Sequence, residues 1–146
     1  PASLAPDDAD GWRNLLLTDV IEPTLGRVTP EFMYDFPASQ AALARVRPGP
    51  PAVAERFELY IEGVELCNGY QELTDPVEFR RRMETEAAGR LRDGRRELPV
   101  DNRLADALEA GMPECSGVAM GFDRLALLLL GGSTLADVQS FPFPRA

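Results

Sequence analysis

Histidine and lysine are both missing from the 146 residues, and cysteine occurs only twice. Without histidine, a His-based nucleophilic triad and the usual mixed zinc ligand sets are excluded. Cys67 and Cys115 follow no metal-ligand spacing and read as small packing residues, which fits a reducing, cytoplasmic setting. Long apolar runs are missing as well. Leu125 to Leu130 is far shorter than the roughly 18 apolar residues that a membrane span needs, and no basic-then-apolar leader is present. GVAMG at 117–121 lacks the GKS/T ending of a phosphate-binding loop and has the wrong spacing for a dinucleotide fingerprint. Internal repeats and low-complexity tracts are absent too.

What is present is acidic. The net charge of −9 disfavours nonspecific binding to a polyanion and slightly favours a basic partner. All fifteen basic residues are arginine, a bias read as genomic base composition and not as function. With 45% hydrophobic residues, the chain has enough apolar content for one substantial core and is too short for several domains.

Spacing predicts a helix over 9–24, packed through Trp12, Leu15, Leu16 and Val20 and ended by Gly26. PEFMYDFP reads as a short strand stopped by Pro37, and ASQAALARV as a helical turn or short helix before the PGPP break. Strands over 54–61 and 64–73 flank Gly63. A helix then starts at Pro76, with Asp75 as N-cap and Glu78 completing a capping box. Phe79, Met83, Ala87 and Leu91 form its expected buried stripe, with the arginines outward. After the polar loop RDGRREL comes a short helix from about 101 to 110, then a small-residue strand at 117–122. A buried apolar helix follows from about Asp123 to the paired glycines, and a last turn at 133–139 leads into FPFPRA.

Glu58, Glu65 and Glu72 recur at intervals of seven through FELYIEGVELCNGYQEL. If Glu62 and Gly63 form a two-residue turn, Tyr60 lies opposite Glu65, so Glu58 and Glu65 share a sheet face. Two neighbouring carboxylates suit a hard cation such as Mg²⁺, while a solvated hairpin face explains them equally well. Glu65 and Glu72 should lie on opposite faces of a regular strand, unless a bulge at Asn68-Gly69 rotates Glu72 back. A buried Glu72 needs a cationic partner, either an arginine or the amine of a ligand, whereas a solvent-exposed Glu72 needs none. Arg124, beside Asp123 at a helix start, suits a phosphate, and a structural Asp–Arg pair accounts for it as well.

AERFELYIEGVELCNGYQELTDP followed by GMPECSGVAMGFDRLALLLLGG resembles the C-terminal half of the class II lysyl-tRNA synthetase catalytic domain. YDFPASQAALA and LADVQSFPFPRA resemble the stand-alone paralogue that attaches a lysine-type group to elongation factor P. The resemblance covers residues 12–146. It implies an α+β fold, an antiparallel sheet flanked by helices, that activates an amino-acid carboxylate with ATP and Mg²⁺. It places Glu58 and Glu65 at the metal and ATP, Asn68, Tyr70 and Glu72 in the lysine pocket with Glu72 facing the ammonium, and Arg124 on an ATP phosphate. Gly121 lies near the adenosine or substrate wall. Ala119 stands where many lysyl-tRNA synthetases carry glycine, which trims the pocket and could favour β-lysine. Lysine or β-lysine and an elongation factor P acceptor are the implied partners ahead of tRNA.

The same comparison lacks the preceding motifs 1 and 2 and the anticodon-binding domain, and the chain begins PASLAPDDAD without methionine. The expectation is a piece of a longer catalytic domain, inactive alone for want of the motif 2 arginine and able to self-associate through uncovered surface. The alternatives are a piece of a true lysine-tRNA ligase, or a noncatalytic relative that binds an amino acid or a protein.

Overall fold

The computed structural model describes residues 4–96, 98 and 102–143. Residue 97 of the polar loop, the first position of the helix expected from 101, and the PRA ending lie outside the described residues.

The fold is organised by one hairpin. Its strands, separated by Glu62 and Gly63, are β3 (Val53–Ile61) and β4 (Val64–Gln71), the third and fourth strands of the chain. Both linking residues have positive φ, 53° and 77°, which matches the twist of a two-residue loop. Gly63 takes this conformation without cost, whereas Glu62 adopts it as an ordinary L-residue. The register is the expected one near the turn, with Ile61 opposite Val64 and Tyr60 opposite Glu65.

β1 (Glu31–Pro37) lies on one side of β3, and β5 (Ser116–Met120) lies beyond β4. The two-residue β2 (Val46–Arg47) pairs with Val53 and Ala54 at the start of β3. All pairings in this five-stranded sheet are antiparallel. ASQAALARV divides between two states: Ala38–Gln40 form a 3-10 turn, while Val46 is extended in β2, where its β-branched side chain fits a pleated strand. Pro37 ends β1 from within it, at a position where a missing N–H is tolerated.

Helical structure begins with α1 (Ala9–Leu16), where Asp8 accepts from the Gly11 amide at 2.8 Å. It continues as a π turn over Leu17–Ile21 and a 3-10 turn over Glu22–Thr24, so 9–24 is helical throughout but not one α-helix. Its apolar stripe differs from expectation: Trp12, Leu15, Leu16 and Val20 are all exposed. Polar ties hold α1 instead, from the Ser39 hydroxyl to Asp10 (3.0 Å) and from the Gln40 amide to Asn14 (2.8 Å).

α2 (Pro76–Arg92) starts as expected, with Asp75 accepting from the amides of Val77 and Glu78. The reciprocal half of the capping box is absent because the Glu78 carboxylate turns to Arg81 and Arg82. Phe79 is buried and Met83 packs beside it, but the expected stripe fades to Leu91, which is exposed. Nor do all the arginines face outward. Arg82 points in and donates to the carbonyls of Ala42 and Ala44, both at 2.8 Å.

Phe79 joins Leu73 and the Ala105 and Leu108 side chains of α3 (Asn102–Ala110) in one core cluster. Phe36, Ala41, Ala44 and Ala54 form another beside the sheet. The last helix, α4 (Phe122–Leu130), ends at Gly131 with φ 65°, where the chain needs the left-handed region. It is not the buried helix that its composition suggests: none of its residues is fully buried, and Leu129 and Leu130 are each 76% exposed.

Candidate functional site on one face of the sheet

Strict alternation along β4 would separate Glu65 from Asn68, Tyr70 and Glu72. The pairing slips instead: Leu59 faces Cys67 while the next residue, Tyr60, faces Glu65. Leu66 is the extra residue, and the burial of consecutive Leu66 and Cys67 marks the bulge. The expected break at Asn68-Gly69 thus begins two positions too late, although its consequence for the faces is as expected. Paired residues share a face, so Arg56, Glu58, Tyr60, Glu65, Asn68, Tyr70, Gly117 and Ala119 line the same side.

Glu58 is the only buried charged residue among those described, at 6% exposure. Its Oε1 accepts from the Arg56 guanidinium and from Asn68 Nδ2 (3.0 Å), and its Oε2 accepts from the Tyr60 hydroxyl (2.6 Å). Burial, followed by the Glu58 acceptor, raises the Tyr60 pKa, so the phenol stays a donor. Arg56 also donates through Nε to Asn68 Oδ1 (3.3 Å), which orients the amide from both ends.

Glu65 is half-exposed. Arg124, in the first turn of α4, donates through Nη1 to the Glu65 carbonyl (2.7 Å) and lies 3.5 Å from its carboxylate. Gly121 precedes that turn: its amide donates to Leu66 (2.9 Å), and a Cβ added there would lie 3.3 Å from Arg124 Cδ. Asp123 is not the helix cap. Gly121 holds that position, and Asp123 accepts from the Gln139 amide at 2.6 Å.

A hard divalent cation needs several open oxygens close by. Glu58 has three of its four lone-pair sites taken, two on Oε1 and one on Oε2, and Glu65 contributes a single carboxylate facing an arginine. Among the described residues no group of three Cys, Asp or Glu could hold a metal. The sharing of Mg²⁺ expected between Glu58 and Glu65 does not fit this arrangement.

Glu72 differs from both. It is half-buried and, among the described residues, its carboxylate has neither an ion pair nor a hydrogen bond, so the arginine alternative for its partner falls away. The carboxylate rests over Gly117, where an added Cβ would overlap its Oε1. Tyr70 stands nearby, its pKa raised first by burial and then by the Glu72 charge. Ala119, opposite Asn68, is exposed on the same face.

Sequence reasoning missed Arg56 and Gly117. The period-two series Arg56, Glu58, Tyr60 could have signalled the first, and a glycine inside a strand the second, since it marks a close approach.

Comparison with known proteins matches residues 21–145 to the family of tRNA synthetases class II (D, K and N). The elongation factor P–(R)-β-lysine ligase of Vibrio cholerae serotype O1 is 52% identical over 140 residues, which cover 96% of this chain and 43% of that protein. The Salmonella arizonae ligase of the same name is 50% identical with the same coverage, and that of Vibrio atlanticus is 47% identical over 139 residues. The chain spans 43% of the length of these curated relatives. With the family match running over most of its length and an antiparallel sheet flanked by helices, this chain belongs to the class II tRNA synthetases of the D, K and N group.

Proposed function

We propose that the chain is part of an ATP-dependent ligase that activates lysine or β-lysine and transfers it to elongation factor P, supplying the amine-recognition side of the catalytic site. The observation that carries this reading is Glu72, a half-buried carboxylate over a glycine with no cation of its own among the described residues. A buried carboxylate without a counter-charge is costly, and a substrate ammonium removes that cost. A zwitterionic amino acid with a basic side chain has the required group; an apolar one lacks it. Tyr70 and Asn68 flank the same space, and Ala119 trims it.

In the reaction of the longer protein, an oxygen of the amino-acid carboxylate attacks the α-phosphorus of ATP, and the bond to the departing pyrophosphate breaks. The acceptor lysine amine then attacks the acyl carbonyl and AMP leaves. The role we assign to Arg124 is to meet phosphate charge, a reading supported by a guanidinium of which, among the described residues, only Nη1 is bonded to protein, and by Gly121 beside its stem. Preorganised charge of this kind lowers the barrier without a covalent enzyme intermediate, so neither cysteine is needed as a nucleophile. Since the chain spans 43% of its relatives, we assign it amino-acid binding by itself and turnover only within the longer polypeptide.

Amino-acid-dependent exchange of pyrophosphate into ATP tests this, measured on the full-length protein with lysine, β-lysine and norleucine. Exchange with the first two and none with norleucine is expected, followed by mass addition to elongation factor P. Exchange that ignores the side-chain amine would refute the reading.

A further inference from the structure

We propose that the Arg56 guanidinium is the resident cation of Glu58, so that Glu58 positions the pocket amide of Asn68 and does not ligate Mg²⁺ in the folded chain. A buried carboxylate needs a counter-charge, and a planar guanidinium on a neighbouring position of the same strand face supplies one in fixed geometry. Arg56 is itself held in place. Its guanidinium carbon lies 4.2 Å above the Phe36 ring, and Nη1 donates to the Gln40 carbonyl at 3.4 Å. The Arg56 side chain is 19% exposed and that of Glu58 8%. A divalent ion that drew Glu58 away would therefore leave an anchored, largely buried arginine without its acid, and three of the four lone pairs of Glu58 are already taken by Arg56, Asn68 and Tyr60.

The lock reaches the pocket through Asn68. With Oδ1 turned to Arg56 and one Nδ2 hydrogen on Glu58, the amide cannot flip, and its second Nδ2 hydrogen is the donor left for a bound amino acid. Arg56 and Glu58 are thus positioning residues. The assignment does not depend on which amino acid binds, because its readout is the metal, so it can fail while the amine reading stands and the reverse.

The test is Mg²⁺ titration of the chain by calorimetry and thermal unfolding, in the wild type and in E58Q, R56M and R56M/E58Q. Expected is the same Mg²⁺ response, within twofold, in wild type and E58Q. R56M should have a lower Tm that Mg²⁺ raises, with at least tenfold stronger binding than wild type, and the added E58Q should abolish that gain. An arginine that only supports packing would lower the Tm with no Mg²⁺-dependent recovery, which overturns the proposal. If R56M does not fold, the comparison of wild type with E58Q decides alone: tenfold weaker Mg²⁺ binding in E58Q makes Glu58 a metal ligand and refutes the lock.

Discussion

At the residue scale, the candidate pocket depends on small side chains as much as on charged ones. Gly117→Ala places a methyl group where Glu72 Oε1 lies, so the carboxylate must move while the strand keeps its pairing with Tyr70. The expected outcome is lysine binding weakened by roughly tenfold, about 1.4 kcal/mol, with little change in Tm; calorimetry beside a thermal melt separates the two effects. Ala119→Gly restores one methyl's volume on the same face. At about 0.8 kcal/mol per methylene-sized group, it should shift the ratio of lysine to β-lysine affinity roughly fourfold toward lysine, and competition binding reads that ratio. The acids were legible in the sequence because three glutamates at regular spacing stand out in a strand-like run. Their differing fates were not. Spacing says nothing of whether Arg56 reaches Glu58 or whether any arginine reaches Glu72, because these are contacts set by register and burial.

At the element scale, local chemistry was the most readable. The Glu62-Gly63 turn, the Asp75 cap and the Gly131 stop each need only a few neighbouring residues, and each forms where expected. The bulge at Leu66 was not readable there, since neither Leu66 nor its neighbours carries a turn signal and the slip is decided by pairing on both sides. Deleting Leu66 should make the ladder regular with Tyr60 still opposite Glu65, so that Glu65 stays on the Asn68 face and amino-acid binding persists while the Tm falls for want of a buried leucine. Loss of binding in a deletion variant that still folds would contradict this placement of the faces. In α2, hydrogen bonds from Arg81 and Arg82 depress the Glu78 pKa to about 2 from its ordinary 4.5. The unfolded chain therefore takes up this proton first as the pH falls. The stabilisation is complete above about pH 4.5, declines toward pH 2 and is lost below it. Glu78→Gln should accordingly lower the Tm at pH 6 but leave it unchanged near pH 2, with an effect at pH 6 below about 1 kcal/mol because the site is partly open to solvent.

At the scale of the whole molecule, the helices and strands were more legible than their covering. Amphipathic spacing in α1 and apolar composition in α4 promised buried faces, yet both present apolar side chains to solvent. Phe32, Tyr34, Val118 and Met120 are also more than half exposed. Periodicity assumes a packing partner that the described residues do not supply for these faces. Alone in solution it should self-associate, with a sedimentation coefficient that rises with concentration; a monomer across the whole range would contradict this. Among the described residues no helix is long and apolar enough to cross a membrane. The proposed pairing sets Glu72 of the folded ribbon against a ligand ammonium. Its most direct test is calorimetric titration of the chain with lysine, β-lysine and norleucine, in the wild type and in Glu72→Gln. The two amines should bind the wild type, norleucine should not, and Glu72→Gln should lose about 1.5–3 kcal/mol of amine binding. Norleucine binding as tightly as lysine, or Glu72→Gln binding lysine as the wild type does, would contradict it.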